Sequence, residues 1–323
     1  MRASGRQVFT LGMGVTALLF LGCQAAARDR SDVVTLQDLL ARMKDPRSFF
    51  LQVLPDESGG VVVGGNRLHP NEIARLRFIS SKRTRAPVVA VSGIKTKPVT
   101  ALIDPASTWS WMTLPTALEL QATPLSGIPF QSPGHVFDPA ISGVVCRVST
   151  LLMDALSVES ALVLATTTPS LGSLERGCRP APDMVIGAIL LARLRSLVFD
   201  FRGMKFMAAS TFPYRPDPAK LVGSGAFRWA GNLPLVEARV NGIPRELVFD
   251  PAGDYELLLP ELREPATVRQ LTIGDLVLRS VEAIPRPDPP PGASSYGRLG
   301  RRCFDDLRVI VVNPPGRIYF EHP

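Results

Sequence analysis

The sequence is poor in the residues that bind transition metals. It has three histidines and four cysteines among its 323 residues, and no two cysteines form a Cys-x-x-Cys pair. Zinc sites and related centres need thiolate or imidazole side chains at close, defined spacings. We therefore predict no metal site, and nothing in the sequence indicates a cofactor.

Two further absences exclude nucleotide and nucleic-acid binding. The glycine pairs at 59–60 and 64–65 lack the Lys-Ser/Thr that completes a phosphate-binding loop. The net charge is +7, but the cations are scattered along the chain, so we expect no nucleic-acid partner. We interpret the densest basic cluster as a solvated face near a lobe boundary, with attraction to an anionic lipid or polymer as the alternative. This cluster is Arg75, Arg77, Lys82, Arg83 and Arg85.

The N-terminus has the pattern of an export signal. Arg2 and Arg6 precede an apolar stretch at residues 8–21 that is too short to span a bilayer comfortably. It ends in Phe20-Leu21-Gly22-Cys23, which resembles the lipobox of bacterial lipoproteins and implies that Cys23 is acylated and anchors the chain. Cleavage after the alanines at 25–27 and an uncleaved anchor are the alternatives. All three place the mature chain in the cell envelope, in the periplasm or on the outer surface.

Two stretches of the chain repeat one pattern. Pro98 precedes Asp104-Pro105-Ala106 by the same interval at which Pro244 precedes Asp250-Pro251-Ala252. Each copy indicates a strand, a turn at glycine and a second apolar strand that ends at the aspartate.

The copies also match at their far ends. Val185-Ile186-Gly187 and Arg298-Leu299-Gly300 are followed, at equal intervals, by apolar segments ending at Asp200 and Asn313. This pattern predicts a short helix after the glycine and then a strand. Residues 148–163 and 268–281 each predict a hairpin, the second turning at Gly274-Asp275. Matched ends in the same order indicate a duplication.

The repeat defines the expected domains. They are a signal at 1–23, an N-terminal extension at 24–85, a first lobe at 86–219, a linker at 220–226 and a second lobe at 227–323. The extension is either a propeptide or an added β-layer. The first copy is the longer one, and its surplus lies largely at 126–144, where glycine and proline predict a loop over a cleft.

An apolar strand that ends in aspartate, with a closing apolar-apolar-glycine segment, resembles the pepsin/retropepsin family when it occurs twice. Leu247-Val-Phe-Asp-Pro-Ala252 and Tyr296-Gly-Arg-Leu-Gly-Arg301 carry the likeness, which covers about 86–321 and is nearest to the bacterial retropepsin-like proteins, here with two fused lobes. It implies a mainly β, two-lobed, acid-protease-like fold of duplicated barrels, with a short N-terminal α/β segment. Since one chain supplies both aspartates, we expect a monomer.

The resemblance implies that Asp104 and Asp250 are a catalytic pair. Two adjacent carboxylates share one proton, because like charges raise one apparent pKa. The ionised member activates water and the protonated member polarises the scissile carbonyl of a polypeptide. The substrate-binding residues implied by the resemblance are Ser107, Gly253, Phe130 and Phe137, the two phenylalanines replacing a flap tyrosine as an apolar lid.

The motif departs from the family pattern identically in both copies. The family has Asp-Thr/Ser-Gly, whereas this chain has proline at 105 and 251 and alanine at 106 and 252. Proline has neither the hydroxyl nor the N–H that would join the two loops. Three functions stay open: an exported aspartic endopeptidase, an inactive relative that binds a peptide or envelope partner in its cleft, and a structural lipoprotein. On the inactive interpretations, the aspartates cap their own loops.

The other cysteines are expected to lie in an oxidising compartment. Cys146 and Cys178 belong to the same predicted lobe, so we predict a disulfide between them. Cys303 would remain as a buried thiol.

Overall fold

The chain is mainly β-structure. The structure, a computed structural model, describes residues 35–42, 52–54, 61–63, 65–80, 85–125, 130–131, 142–166, 181–285 and 296–323. Strand accounts for 54% and helix for 9%, and there are two closed six-stranded barrels. This confirms the prediction of a mainly β, two-lobed chain.

The strands and helices fall into three groups along the chain. Up to Asp104 they are α1 (Leu36–Leu40), β1 (Gln52–Leu54), β2 (Val61–Val63), β3 (Arg67–Leu68), β4 (Ile73–Arg77), β5 (Val88–Gly93) and β6 (Val99–Ile103). Up to Asp250 they are β7 (Trp111–Thr113), α2 (Leu114–Glu119), β8 (Thr123–Pro124), β9 (Phe130–Gln131), β10 (Ser142–Met153), β11 (Leu156–Thr166), β12 (Met184–Ile186), α3 (Ala188–Leu191), β13 (Ser196–Asp200), β14 (Lys205–Ala209), β15 (Leu221–Ala230), β16 (Leu233–Val240) and β17 (Ile243–Asp250). Beyond it they are β18 (Leu257–Leu259), β19 (Ala266–Ile273), β20 (Leu276–Pro285), β21 (Gly297–Gly300), a 3-10 helix (Arg301–Phe304), β22 (Arg308–Val312) and β23 (Arg317–Glu321).

The first barrel surrounds the strand that leads to Asp104. Its order is β5-β6-β12-β7-β11-β10, and β10 closes the barrel by pairing with β5. The hairpin predicted at 148–163 is the pair β10 and β11. The pairs β6–β12 and β7–β11 are parallel, whereas β7–β12 is antiparallel.

The second barrel repeats this arrangement strand for strand. Its order is β16-β17-β21-β18-β20-β19, and β19 pairs back with β16. The pairs β17–β21 and β18–β20 are again parallel and β18–β21 antiparallel. The β19–β20 hairpin turns at Gly274-Asp275 as predicted, and Gly274 has φ +53°, a conformation that glycine adopts without strain. The duplication inferred from the sequence is therefore present as two equivalent barrels.

A third layer joins the copies. Its strands run β4-β14-β13-β22-β23-β15, so that each half contributes three strands and the central pair is β13 with β22. Residues 220–226, predicted as a linker, lie almost entirely in β15, because their backbone groups pair with β23. Strand β4, within the predicted extension, occupies in the first half the place of β15 in the second, next to β14. The repeat is thus longer than the sequence pattern indicated.

Phenylalanine side chains connect this shared sheet to the strand that carries Asp250. Phe199 of β13 packs edge-on against Phe249 of β17 with ring centroids 5.7 Å apart. Phe304 lies 6.1 Å from Phe249 on another side and stacks on Phe320 of β23. Aromatic pairs of this kind contribute about 0.5–1.5 kcal/mol beyond their buried area. Since Phe249 directly precedes Asp250, the sheet fixes the end of β17.

Candidate functional site

Asp104 lies just beyond the end of β6 and is almost fully buried. Its N–H donates to the Ile186 carbonyl of β12 at 3.0 Å, which extends the parallel pairing of the two strands through the aspartate. Its Oδ1 accepts from the Ala106 N–H at 2.9 Å. Only 3% of the residue is exposed. The carboxylate is therefore turned back over its own loop.

Asp250 occupies the same position in the second barrel but has more partners. Its Oδ1 accepts from the Gly253 N–H at 2.9 Å. Its Oδ2 accepts from the Tyr255 hydroxyl and, at 3.2 Å, from Nη1 of Arg298. A carboxylate has about four acceptor sites, and three donors thus occupy most of those of Asp250.

Arg298 is a buried cation on β21. It stands where the first copy has Val185, and it is paired in register with Val248, two residues before Asp250. Its side chain is 8% exposed and that of Asp250 is 7% exposed. A buried charge without a counter-ion costs several kcal/mol, so an arginine is tolerated here because the carboxylate of Asp250 lies 3.2 Å from its Nη1.

The charges around Arg298 place both aspartates in one cluster. Burial lowers the pKa of Arg298, but the neighbouring Tyr255, Asp250 and Asp104 outweigh it, so that its pKa lies above the ordinary value. Both aspartates therefore lie near enough to Arg298 to act on it electrostatically, and Asp250 also contacts it directly.

Tyr255 is held as a hydrogen-bond donor. Burial is the largest cause that raises its pKa well above 10.0, followed by the charge of Asp250, and Asp104 acts in the same direction. The phenol therefore stays protonated, and its O–H donates a hydrogen bond to Oδ2 of Asp250. The first copy has Trp109 at the equivalent place, 2% exposed in an apolar cluster.

Two glycines make room for the aspartate loops. A Cβ on Gly187 would lie 2.2 Å from the Trp109 carbonyl oxygen, and one on Gly300 would lie 2.1 Å from the Tyr255 carbonyl oxygen. Because backbone atoms cannot yield to such a contact, both positions require glycine. This explains the glycine at the far end of each copy.

The alanines of the two motifs lie at the boundary between the barrels. Ala106 belongs to an apolar cluster with Leu233, Leu235 and Val248 of the second copy. Ala252 packs against a cluster of the first copy that contains Trp109 and Trp111. The departure from glycine thus supplies apolar contacts between the copies.

The comparisons with known proteins leave the chain without an assigned family. Neither a protein-family model nor a curated protein matches it. Among the described residues, no helix is long and apolar enough to cross a membrane, and no three potential ligand side chains are grouped to hold a metal ion.

The other predicted binding residues differ in their surroundings. Ser107 is 2% exposed and its hydroxyl donates to the Trp109 carbonyl at 2.9 Å, so it serves the loop itself. Position 253 favours glycine, because the Cβ of any other residue would lie 2.5 Å from the Tyr255 ring. Phe130 lies in the short strand β9, paired with β10, and Phe137 and Cys23 lie outside the described residues.

The predicted disulfide is not formed at Cys146. Cys146 is a free thiol, fully buried on β10 within the main core, and Cys178 lies outside the described residues. Burial raises the pKa of the Cys146 thiol to about 12. Cys303 is also free, as expected, but it is half-buried rather than buried, and its thiol donates to the Glu256 carbonyl at 3.3 Å.

Sequence reasoning did not identify Arg298 and Tyr255 as site residues. Both stand at positions where the otherwise similar copies differ, Arg298 against Val185 and Tyr255 against Trp109. A polar residue in one copy, at a position where the other copy has an apolar residue, was therefore the sequence feature that could have identified both site residues.

Proposed function

We propose that the chain is a non-catalytic relative of two-lobed aspartic peptidases, which binds a polypeptide or an envelope partner in the cleft between its barrels. Two equivalent barrels that carry aspartates at equivalent strand ends support the relationship, as does the six-stranded sheet between them. The observation that carries the loss of catalysis is the ion pair between Asp250 and Arg298.

An aspartic dyad works because its two carboxylates share one proton. Here the guanidinium of Arg298 supplies the positive charge beside Asp250 instead of a shared proton. Unlike that proton, the guanidinium cannot be transferred to a substrate. The remaining acceptor capacity of Asp250 is largely used by Tyr255 and Gly253. With its oxygens occupied by these donors, Asp250 lacks the open acceptor geometry that a nucleophilic water needs.

The charge of the cluster indicates the kind of group that it accepts. Two carboxyl groups and only one guanidinium lie in this mostly buried site, so acidic groups outnumber basic ones. Such a site favours a ligand that brings hydrogen-bond donors or a cation, because an unpaired buried charge is costly. Backbone N–H groups or a lysine or arginine of a polypeptide meet this requirement.

Peptide hydrolysis is the second candidate, and one observation favours it. The Ala106 N–H binds Oδ1 of Asp104, and Asp104 and Arg298 interact electrostatically, which places a carboxylate near a cation. In that case Asp104 would activate water alone, and Arg298 or Tyr255 would stabilise the developing oxyanion.

One labelled probe separates the two functions. Unfolded casein carrying a self-quenching fluorophore reports binding by anisotropy and cleavage by dequenching, from about pH 3 to pH 7. We expect binding by the wild type, weaker binding by Asp104→Asn and no dequenching. Dequenching that Asp104→Asn abolishes would establish hydrolysis, and the absence of both signals from folded protein would overturn both functions.

A further inference from the structure

The shared sheet has a second face, directed away from the phenylalanine core, which we call the outer sheet face. Opposed residues of antiparallel strands point to the same side, and on this side the pairs include Val198 with Met207 and Val198 with Ile310. The centre of the face is apolar and buried. The segment after β14 crosses it, since Ser196 Oγ donates to the Phe212 carbonyl at 2.9 Å.

Exposed cations surround this apolar centre. They are Arg75, Arg77, Lys205, Arg215 and Arg317. In the part of the chain that the structure describes, none of the five side chains forms an ion pair. Arg77 and Lys205 are even paired directly across β4 and β14, an arrangement of like charges that destabilises a sheet.

The carboxylates on this side do not compensate the positive charge. Asp200 and Glu321 are buried and both bound to Arg308 of β22, so this buried cluster has one carboxylate more than it has cations. Asp154 is exposed but accepts from the Arg75 N–H at 3.0 Å, and Asp217 accepts from the Ala219 N–H at 3.0 Å. The five exposed cations outnumber the two exposed carboxylates, so the exposed charge of the outer sheet face is positive.

An exposed aromatic side chain lies beside these cations. Phe212 is 47% exposed. It borders a cavity of about 380 Å³ whose apolar floor includes Val198 and Met207 and whose rim includes Arg75 and Arg215. A large apolar side chain next to unpaired cations is the combination found in segments that lie in the interface of anionic membranes.

We propose that the outer sheet face docks on an anionic phospholipid bilayer. The five cations contact phosphate groups, which relieves the repulsion between Arg77 and Lys205, and Phe212 enters the boundary between headgroups and acyl chains. The apolar cavity behind it accepts part of an acyl chain. This face shares no residue with the cluster around Asp104 and Asp250, so membrane docking leaves that site to its own ligand.

The test places a fluorophore on the face itself, so that any anchoring by the N-terminus does not decide the result. The full-length Phe212→Trp variant is mixed with vesicles whose acyl chains carry bromine, which quenches tryptophan at close range. We expect quenching beyond that of the wild type with phosphatidylglycerol vesicles and none beyond it with phosphatidylcholine vesicles. The effect should weaken as salt is raised, because exposed charges are screened.

A charge-matched pair of variants completes the test. Adding Arg75→Gln and Arg215→Gln should lower the affinity that the quenching titration reports by roughly fivefold per charge. Adding Arg269→Gln and Arg279→Gln instead, on the β19–β20 hairpin, should leave it unchanged. Equal quenching by both lipids, no extra quenching by either, or equal losses from the two pairs would overturn the proposal.

Discussion

Ala106 and Ala252 occupy the same position in the two copies, and each packs against side chains of the other copy. Alanine at this place is therefore a contact residue between the barrels. Because it is buried, its size is restricted: Ala106 is 1% exposed among leucine and valine side chains.

Ala106→Leu should destabilise the protein by about 1–3 kcal/mol, because extra methylene groups in a packed boundary force side chains out of their preferred rotamers. Urea unfolding at neutral pH measures the change. Ala266→Leu is the matched control, since Ala266 is exposed at the start of β19. Equal effects of the two substitutions would show that the boundary between the barrels is loosely packed.

Arg298→Val, which copies Val185 of the first barrel, should cost about 3–5 kcal/mol, because it leaves Asp250 buried without its counter-ion. Combined with Asp250→Asn, the loss should be smaller than the sum of the two single effects by about 1–3 kcal/mol. A double-mutant cycle from urea unfolding provides the measurement. Additivity within about 0.5 kcal/mol would mean that the two side chains do not interact in solution.

Tyr255→Phe should remove a pH-dependent contribution to stability. The pKa of Tyr255 is raised well above 10.0 by burial first and by Asp250 next. Because the folded-state pKa lies above the unfolded one, this contribution is complete below about pH 10 and is lost as pH rises further. Unfolding free energies from about pH 8 to pH 11 should therefore fall more steeply for the wild type than for the variant. Parallel curves would contradict this placement of the hydroxyl.

Cys146 should be nearly inert in the folded protein. With its pKa raised to about 12 by burial, its thiolate fraction at neutral pH is about a thousandfold below that of an ordinary cysteine. A short pulse of iodoacetamide, followed by peptide mass mapping, should show little modification in buffer and full modification in urea without reductant. Modification in urea only after reduction would mean that Cys146 is in a disulfide after all.

The sequence predicts the local parts of this fold well. The interval from Gly187 to Asp200 repeats from Gly300 to Asn313 because a turn of helix and a strand follow each glycine, and these elements form between near neighbours. The placement of an aspartate at the end of an apolar strand likewise depends only on residues that are neighbours in the sequence. The structure contains both features.

The features that the sequence did not predict depend on contacts between segments that are distant along the chain. Strand β4 has no evident likeness to β15 in sequence, and only pairing with β14 reveals their equivalence. Arg298 reaches Asp250 because β17 and β21 are parallel neighbours, although the two residues are far apart along the chain. Periodicity cannot predict such a contact, since it describes one strand at a time.

The central pairing of β13 with β22 relates two halves of one polypeptide as a dyad relates the subunits of a homodimer. In a homodimer every substitution occurs twice, so an arginine at the position of Val185 would place a guanidinium in both subunits. Joining the halves in one gene removes this restriction. One half carries Arg298 and Tyr255 where the other carries Val185 and Trp109, so the two carboxylates have chemically unequal surroundings.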